Sequence, residues 1–214
     1  MDAQLLERKI FEGRAQVARR IGFTCNIFRP LAGFPPLKNL TATVKVALNA
    51  ADNFYKRPAL FGKAVWYADF NGCVSRPGDY VVRLKDGAIW FIAAEQPLLP
   101  IVAIDCQRSV SLARQASLSG VGAVGYSGVI APTMILGVGG LWPASILMEG
   151  GAGAGPGLPG DATEAGWKIL LPVSIPLTIE ASDILTDDLG RRFEVLAAEL
   201  TDLGWRLSCK EVHA

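Results

Sequence analysis

One stretch limits what this chain can fold into more than any other. Asp183 to Lys210 has a weaker copy at Asp79 to Cys106, and an offset of 104 residues carries Asp79 onto Asp183 without a gap. The same offset puts Ala93 and Ala94 on Ala197 and Ala198, Glu95 on Glu199 and Leu99 on Leu203. Tyr80, Val82, Phe91 and Ile92 meet Ile184, Thr186, Val195 and Leu196. Identities are few, but the physical grammar is shared. An acidic residue opens a short strand, and a polar turn at Asp86-Gly87 or Asp188-Leu189-Gly190 reverses it. A strand ending in Ala-Ala-Glu follows. A second reversal, Gln96 to Pro100 or Thr201 to Gly204, leads into Ile101 to Ile104 or Trp205 to Cys209. Each copy reads as a three-strand meander, too small to bury its apolar face alone.

The expected fold is therefore mainly β: two small β-barrel-like or β-sandwich domains, preceded by an N-terminal α-helix and an extended arm. The helix reads from Asp2 to Gly22, with Leu5, Leu6, Ile10, Ala15, Val17, Ala18 and Ile21 as an irregular apolar stripe. Arg19 and Arg20 stand at the negative end of its dipole, and Gly22 can terminate it. Such a helix packs on its own domain or projects onto a neighbouring subunit. Phe23 to Lys38 reads as an arm, because Pro30, Pro35 and Pro36 fix φ and remove backbone donors. Its Phe23, Phe28 and Phe34 either cover the end of a barrel or fill a groove on a partner.

Residues 1–38 are thus helix and arm, and 39–114 a first β domain. Residues 115–128 form a Ser/Gly-rich junction, and 129–214 a second β domain containing the Gly-rich loop 150–160. Strands are expected at Leu40 to Leu48, Lys63 to Phe70, Ile130 to Leu136, Trp142 to Met148, Trp167 to Val173 and Ile175 to Ile179. Turns are expected at Asn71-Gly72, at Arg76-Pro77-Gly78-Asp79 and around Gly137, Gly139 and Gly140.

With 50% hydrophobic and 19% charged residues, the chain is not disordered by composition, and a net charge of +1 makes no global electrostatic case for a polyanion. Its four cysteines, at 25, 73, 106 and 209, lack C-x-x-C spacing and read as free buried thiols. The single histidine, His213, leaves a Ser–His or Cys–His arrangement without a base in the body of the chain. Asp183, Asp187 and Asp188 beside Gly190 read as turn-capping carboxylates rather than acid–base or cation-binding groups. No G-x-x-x-x-G-K-[ST] occurs. Asp2, Glu7, Arg8, Lys9 and Glu12 break any leader-like run. Pro132 and Pro143 interrupt the longest apolar stretch, so no membrane association is expected. No catalytic, cofactor-binding or metal-binding residue is assigned, and no cofactor is expected.

The C-terminal half carries a family likeness. Trp142-Pro143-Ala144-Ser145-Ile146-Leu147, Leu158-Pro159-Gly160-Asp161, Leu170-Leu171-Pro172, Asp183 to Phe193 and Thr201 to Arg206 resemble a minor structural protein of tailed bacteriophages. Pro77-Gly78-Asp79-Tyr80, Gln96 to Pro100 and the helix leading to Phe28-Arg29-Pro30 have the matching character. The resemblance implies a non-enzymatic virion protein of the neck, like head–tail connector or head-closure proteins, assembling as a ring. It implies a homo-oligomer that meets other virion proteins (portal, adaptor or tail components) and DNA passing through a central channel without sequence-specific binding. Its location would be the virion, and the host cytoplasm during assembly. The candidate interface residues are Phe23, Phe28, Arg29, Phe34, Arg191 and Arg192. Alternatives are a tail or baseplate structural or carbohydrate-binding module, for which Trp66, Trp90, Trp142, Trp167 and Trp205 could line a groove, and a β-barrel hydrolase.

Overall fold

The computed structural model describes residues 3–49, 64–96, 99–115, 132–149 and 166–212. One helix, α1 (Ala3–Ile21), precedes thirteen strands among these residues. The strands are β1 (Phe23–Phe28), β2 (Leu40–Asn49), β3 (Val65–Asp69), β4 (Tyr80–Arg83), β5 (Ile89–Ala94), β6 (Ile101–Cys106), β7 (Arg108–Arg114), β8 (Thr133–Leu136), β9 (Trp142–Glu149), β10 (Gly166–Leu171), β11 (Ile184–Asp187), β12 (Arg192–Thr201) and β13 (Gly204–Val212). The mainly β, two-unit architecture with an N-terminal helix is the one expected. The junction at 116–128, the Gly-rich loop 150–160 and His213 lie outside the described residues.

The first unit is a closed antiparallel barrel in the order β1-β2-β3-β6-β5-β4. Alternation sorts its side chains: Val81, Trp90 and Ile92 join the inner core with Ile27, Ile101 and Ala103, while Tyr80, Phe91 and Ile104 belong to a second core outside. Strands β2 and β3 pair only across Ala47 to Asn49, which leaves a seam. Helix α1 packs against both strands, and its Phe11 and Ala18 are buried in the same cluster as the inner barrel residues. Gly22 ends the helix, its N–H donating to Ala18 O at 2.8 Å. A methyl group on Gly22 would lie 2.7 Å from Val46 O, so glycine lets the chain turn tightly from helix into β1.

The second sheet runs β11-β12-β13-β10-β9-β7-β8, and an extra β11–β7 pairing closes six of its strands into a ring. It repeats the first barrel strand for strand. The pair Ile27–Val81 recurs as Leu112–Leu185, Cys25–Arg83 as Val110–Asp187, Leu48–Ala68 as Ile146–Ile169, and Ala68–Ile101 as Ile169–Leu207. Even the bulge at Ile92/Ala94 returns at Val195/Ala197. The duplicated unit is thus six strands, of which the meander is half.

Several expectations are corrected. The repeat is not free of gaps: the offset is 104 at Asp79 and Asp183 but 103 at Ile92 and Val195, because the first hairpin turn is one residue longer, and 106 at Ile101 and Leu207. Ala94 therefore matches Ala197, and Leu99 does not match Leu203. Phe23–Phe28, read as arm, is a barrel strand, since Pro30 lies beyond its end. Ser109 to Arg114, read as the end of the first domain, pairs with β8, β9 and β11 in the second. Ile175 to Ile179 is not a strand: Ile175 and Ile179 are buried from a loop, where Pro176 forbids continuous pairing.

Only Gln107 separates β6 from β7, so the units pack directly on one another. Tyr80, Phe91, Ala93 and Ile104 on the outer face of the first barrel share one core with Trp142, Ile146, Ile169, Leu171 and Leu207. The Tyr80 hydroxyl donates to Pro143 O at 2.9 Å and its ring meets Trp142 edge-on, centroids 6.4 Å apart. Ser174 Oγ donates to Gly78 O at 2.7 Å. In the first barrel α1 packs across the β2–β3 seam; the second barrel packs against the first.

Candidate interaction surface

Helix α1 carries two apolar flanks, and the barrel covers only one. Phe11 and Ala18 face inward, with Arg14 beside them over the Phe11 ring at 5.8 Å. Arg14 also donates to the Leu99 carbonyl and lies 3.9 Å from Asp69. Leu6, Ile10, Val17 and Ile21 recur at helical spacing on the neighbouring flank. Leu6, Val17 and Ile21 are exposed, Ile21 to 70%. Phe23 and Leu84 are exposed as well, on the adjoining β1 and just past β4, where Leu84 N–H donates to Thr24 O at 3.0 Å. Basic side chains stand beside them. Arg83 and Lys85 lie 5.0 and 5.5 Å from the centre of the Phe23 ring, and Arg19, Arg20 and Lys45 are exposed nearby on α1 and β2.

The expected interface residues divide into two groups. Phe23, Phe34 and Arg192 are at the surface, Phe34 being 59% exposed. The other three have internal work. Phe28 packs against the shared core, and Arg29 makes a bidentate pair with buried Asp79 at 2.8 and 3.0 Å. Arg191 pairs with Asp187 at 2.8 Å and covers the rings of Trp167 and Phe193. Phe23 and Phe34 do not meet in one patch, because β1 separates them.

The Arg29–Asp79 pair has a twin. Arg114, at the equivalent end of β7, is bidentate to buried Asp183 at 2.7 and 2.8 Å. Each aspartate also accepts a backbone N–H three residues upstream, from Arg76 at 3.1 Å and Glu180 at 2.8 Å. The intervening turns share a left-handed residue, Gly78 at φ 93° and Ser182 at φ 70°. These acidic residues, which open each repeat, are clamps on the first strand of their barrel. Asp187 accepts N–H groups from Leu189 and Arg191 at 3.0 and 2.8 Å, the turn role expected of it. Asp188 stands 4.0 Å from Arg108.

Beneath the start of α1 lies a groove of about 440 Å³ lined by Glu7, Arg8, Phe11, Ser75, Arg76 and Glu95, among others. Glu95 accepts from Ser75 Oγ at 3.1 Å, and burial pushes its carboxyl up to about 7. No sequence signal marked Glu95 beyond its place after Ala93-Ala94. Burial likewise raises the thiols of Cys25 to about 11 and Cys209 to about 12, whereas Cys73 is exposed, against the expectation that all four are buried. Trp90, Trp142 and Trp205 are buried, and Trp66 and Trp167 are partly buried against the cores, so the five indoles do not line an open groove. Among the described residues no group of three or more His, Cys, Asp or Glu side chains could hold a metal ion, and no helix is long and apolar enough to cross a membrane.

Comparison of the chain with protein-family models, with curated proteins and with solved structures found no match.

Proposed function

We propose that this chain is a non-enzymatic structural component of a tailed-phage virion, a neck or head–tail connector protein that assembles as a ring. The observation that carries the reading is the uncovered flank of α1: Leu6, Val17 and Ile21 are exposed at helical spacing, with Arg19 and Arg20 exposed on the same helix. Contiguous exposed apolar residues with a polar rim are the signature of a protein interaction site. A body of two barrels on one shared core also suits a part that acts by shape. Repeating one heterologous contact around an axis closes a ring.

The test is assembly and location. Multi-angle light scattering and electron microscopy of the purified chain are expected to show a closed ring, and microscopy of particles is expected to show several copies at one level of the neck. Val17→Asp with Ile21→Asp is expected to leave the circular dichroism spectrum unchanged and the ring dispersed. A chain that stays monomeric at all concentrations, with no copies in particles, would end this reading.

A further inference from the structure

The N-terminal half of α1 borders a groove in which burial pushes the carboxyl of Glu95 up to about 7. Gly72, at the start of the short 3-10 turn Gly72–Val74, is the meeting point. A methyl group on it would lie 2.2 Å from Glu95 Oε1 and 2.5 Å from Phe11 Cε1. Helix, turn and the end of β5 thus converge at Gly72, where only a hydrogen fits, on the wall of the groove beneath α1. Glu95 reaches it from β5, its carboxyl accepting the Ser75 hydroxyl at 3.1 and 3.3 Å.

We propose that α1 is a proton-dependent latch on the first barrel, its N-terminal turns held down while Glu95 is protonated and freed when Glu95 becomes a carboxylate.

The charges around Glu95 favour this. From α1 come Glu7 and Arg14, the second drawn away by Asp69 and the Leu99 carbonyl, and Arg8, which is paired with Glu12 at 3.2 Å. From the loop before β4 come Asp79, Ser75 and Arg76, and Arg76 sits 3.7 Å from Asp79. A carboxylate at Glu95 would stand desolvated beside Glu7 and Asp79, with Arg14 its one partly available counter-charge. Lifting the first turns of the helix widens the groove around it and moves Glu7 away. Release would bare Phe11, so the latch also controls an apolar surface on the barrel. This inference does not rest on the proposed ring: the groove and every group around Glu95 belong to one chain.

Amide hydrogen exchange of the full chain tests it, measured at about pH 6 and about pH 8 and corrected for intrinsic exchange, with β12 as the internal reference. With Glu95 near 7 when docked and at the ordinary 4.5 when released, the opening equilibrium of the first turns of α1 rises roughly tenfold between those conditions. Glu95→Gln keeps the shape and hydrogen-bonding capacity without the charge, and is expected to hold the helix equally protected at both. Overturning results are wild-type protection of α1 that does not change with pH, or a Glu95→Gln variant that loosens as much as the wild type.

Discussion

Asp79 and Asp183 are each about 1% exposed and each held by one arginine fork from the first strand of their own barrel. Removing either aspartate strips a partly exposed arginine of its fork and leaves the Arg76 or Glu180 N–H without its acceptor, so Asp183→Ala and Asp79→Ala are each expected to cost about 1–3 kcal/mol. Urea denaturation of the two variants checks this; a loss under about 1 kcal/mol in either would mean that its arginine finds another partner. The cysteines separate by the same logic of burial. Cys25, Cys106 and Cys209 are buried with thiols pushed up, so only exposed Cys73 should react with a thiol reagent near pH 8 in the native protein, and all four after denaturation. Glu95 shapes stability with pH. Its folded value of about 7 lies above the ordinary 4.5, so between those limits the folded state binds more protons than the unfolded one. Stability is therefore expected to fall as pH rises from about 4.5 to about 7 and to level off above, and Glu95→Gln should flatten that slope in urea midpoints taken across the range.

At the scale of elements, α1 enters the barrel core through two buried side chains, Phe11 and Ala18. Phe11→Ala removes the larger of the two that join the barrel core and is expected to cost about 3–5 kcal/mol, read by denaturation, with the loss of α1 exchange protection exceeding that of β12. The helix itself was legible in the sequence, from Leu5 to Ile21 with its terminal arginines and Gly22. Which of its flanks is covered was not. Leu6 and Val17 are as apolar as Ala18, and only the seam between β2 and β3 selects the flank that packs. The hairpins were legible for a similar local reason: Asp86-Gly87 and Asp188 to Gly190 dictate reversals between alternating runs. The loop at Ile175 to Ile179 misled because apolar spacing there reflects burial of two side chains, whereas strand pairing needs donors that Pro176 lacks. β1 was hidden by the prolines that follow it.

For the molecule as a whole, the shared core is the governing fact. Separating the barrels would strip Tyr80, Phe91 and Ile104 from Trp142, Ile146 and Ile169, so the chain is expected to unfold in one cooperative transition, with calorimetric and van't Hoff enthalpies equal. Two resolved transitions would show that each barrel stands alone. The amino-acid order by itself determined the β class, the internal duplication seen through its C-terminal meander, the entry helix and the turns. The class, helix and turns are written in patterns within about a dozen neighbouring residues, and the duplication in the return of such a pattern 104 positions later. The tertiary structure alone decided that the repeat embraces six strands, that β7 crosses from one barrel to the next at Gln107, and that Arg29 and Arg114 are twin partners of Asp79 and Asp183. Those contacts join residues 50 and 69 positions apart in the chain, and nothing local to either partner records the distance at which the other waits.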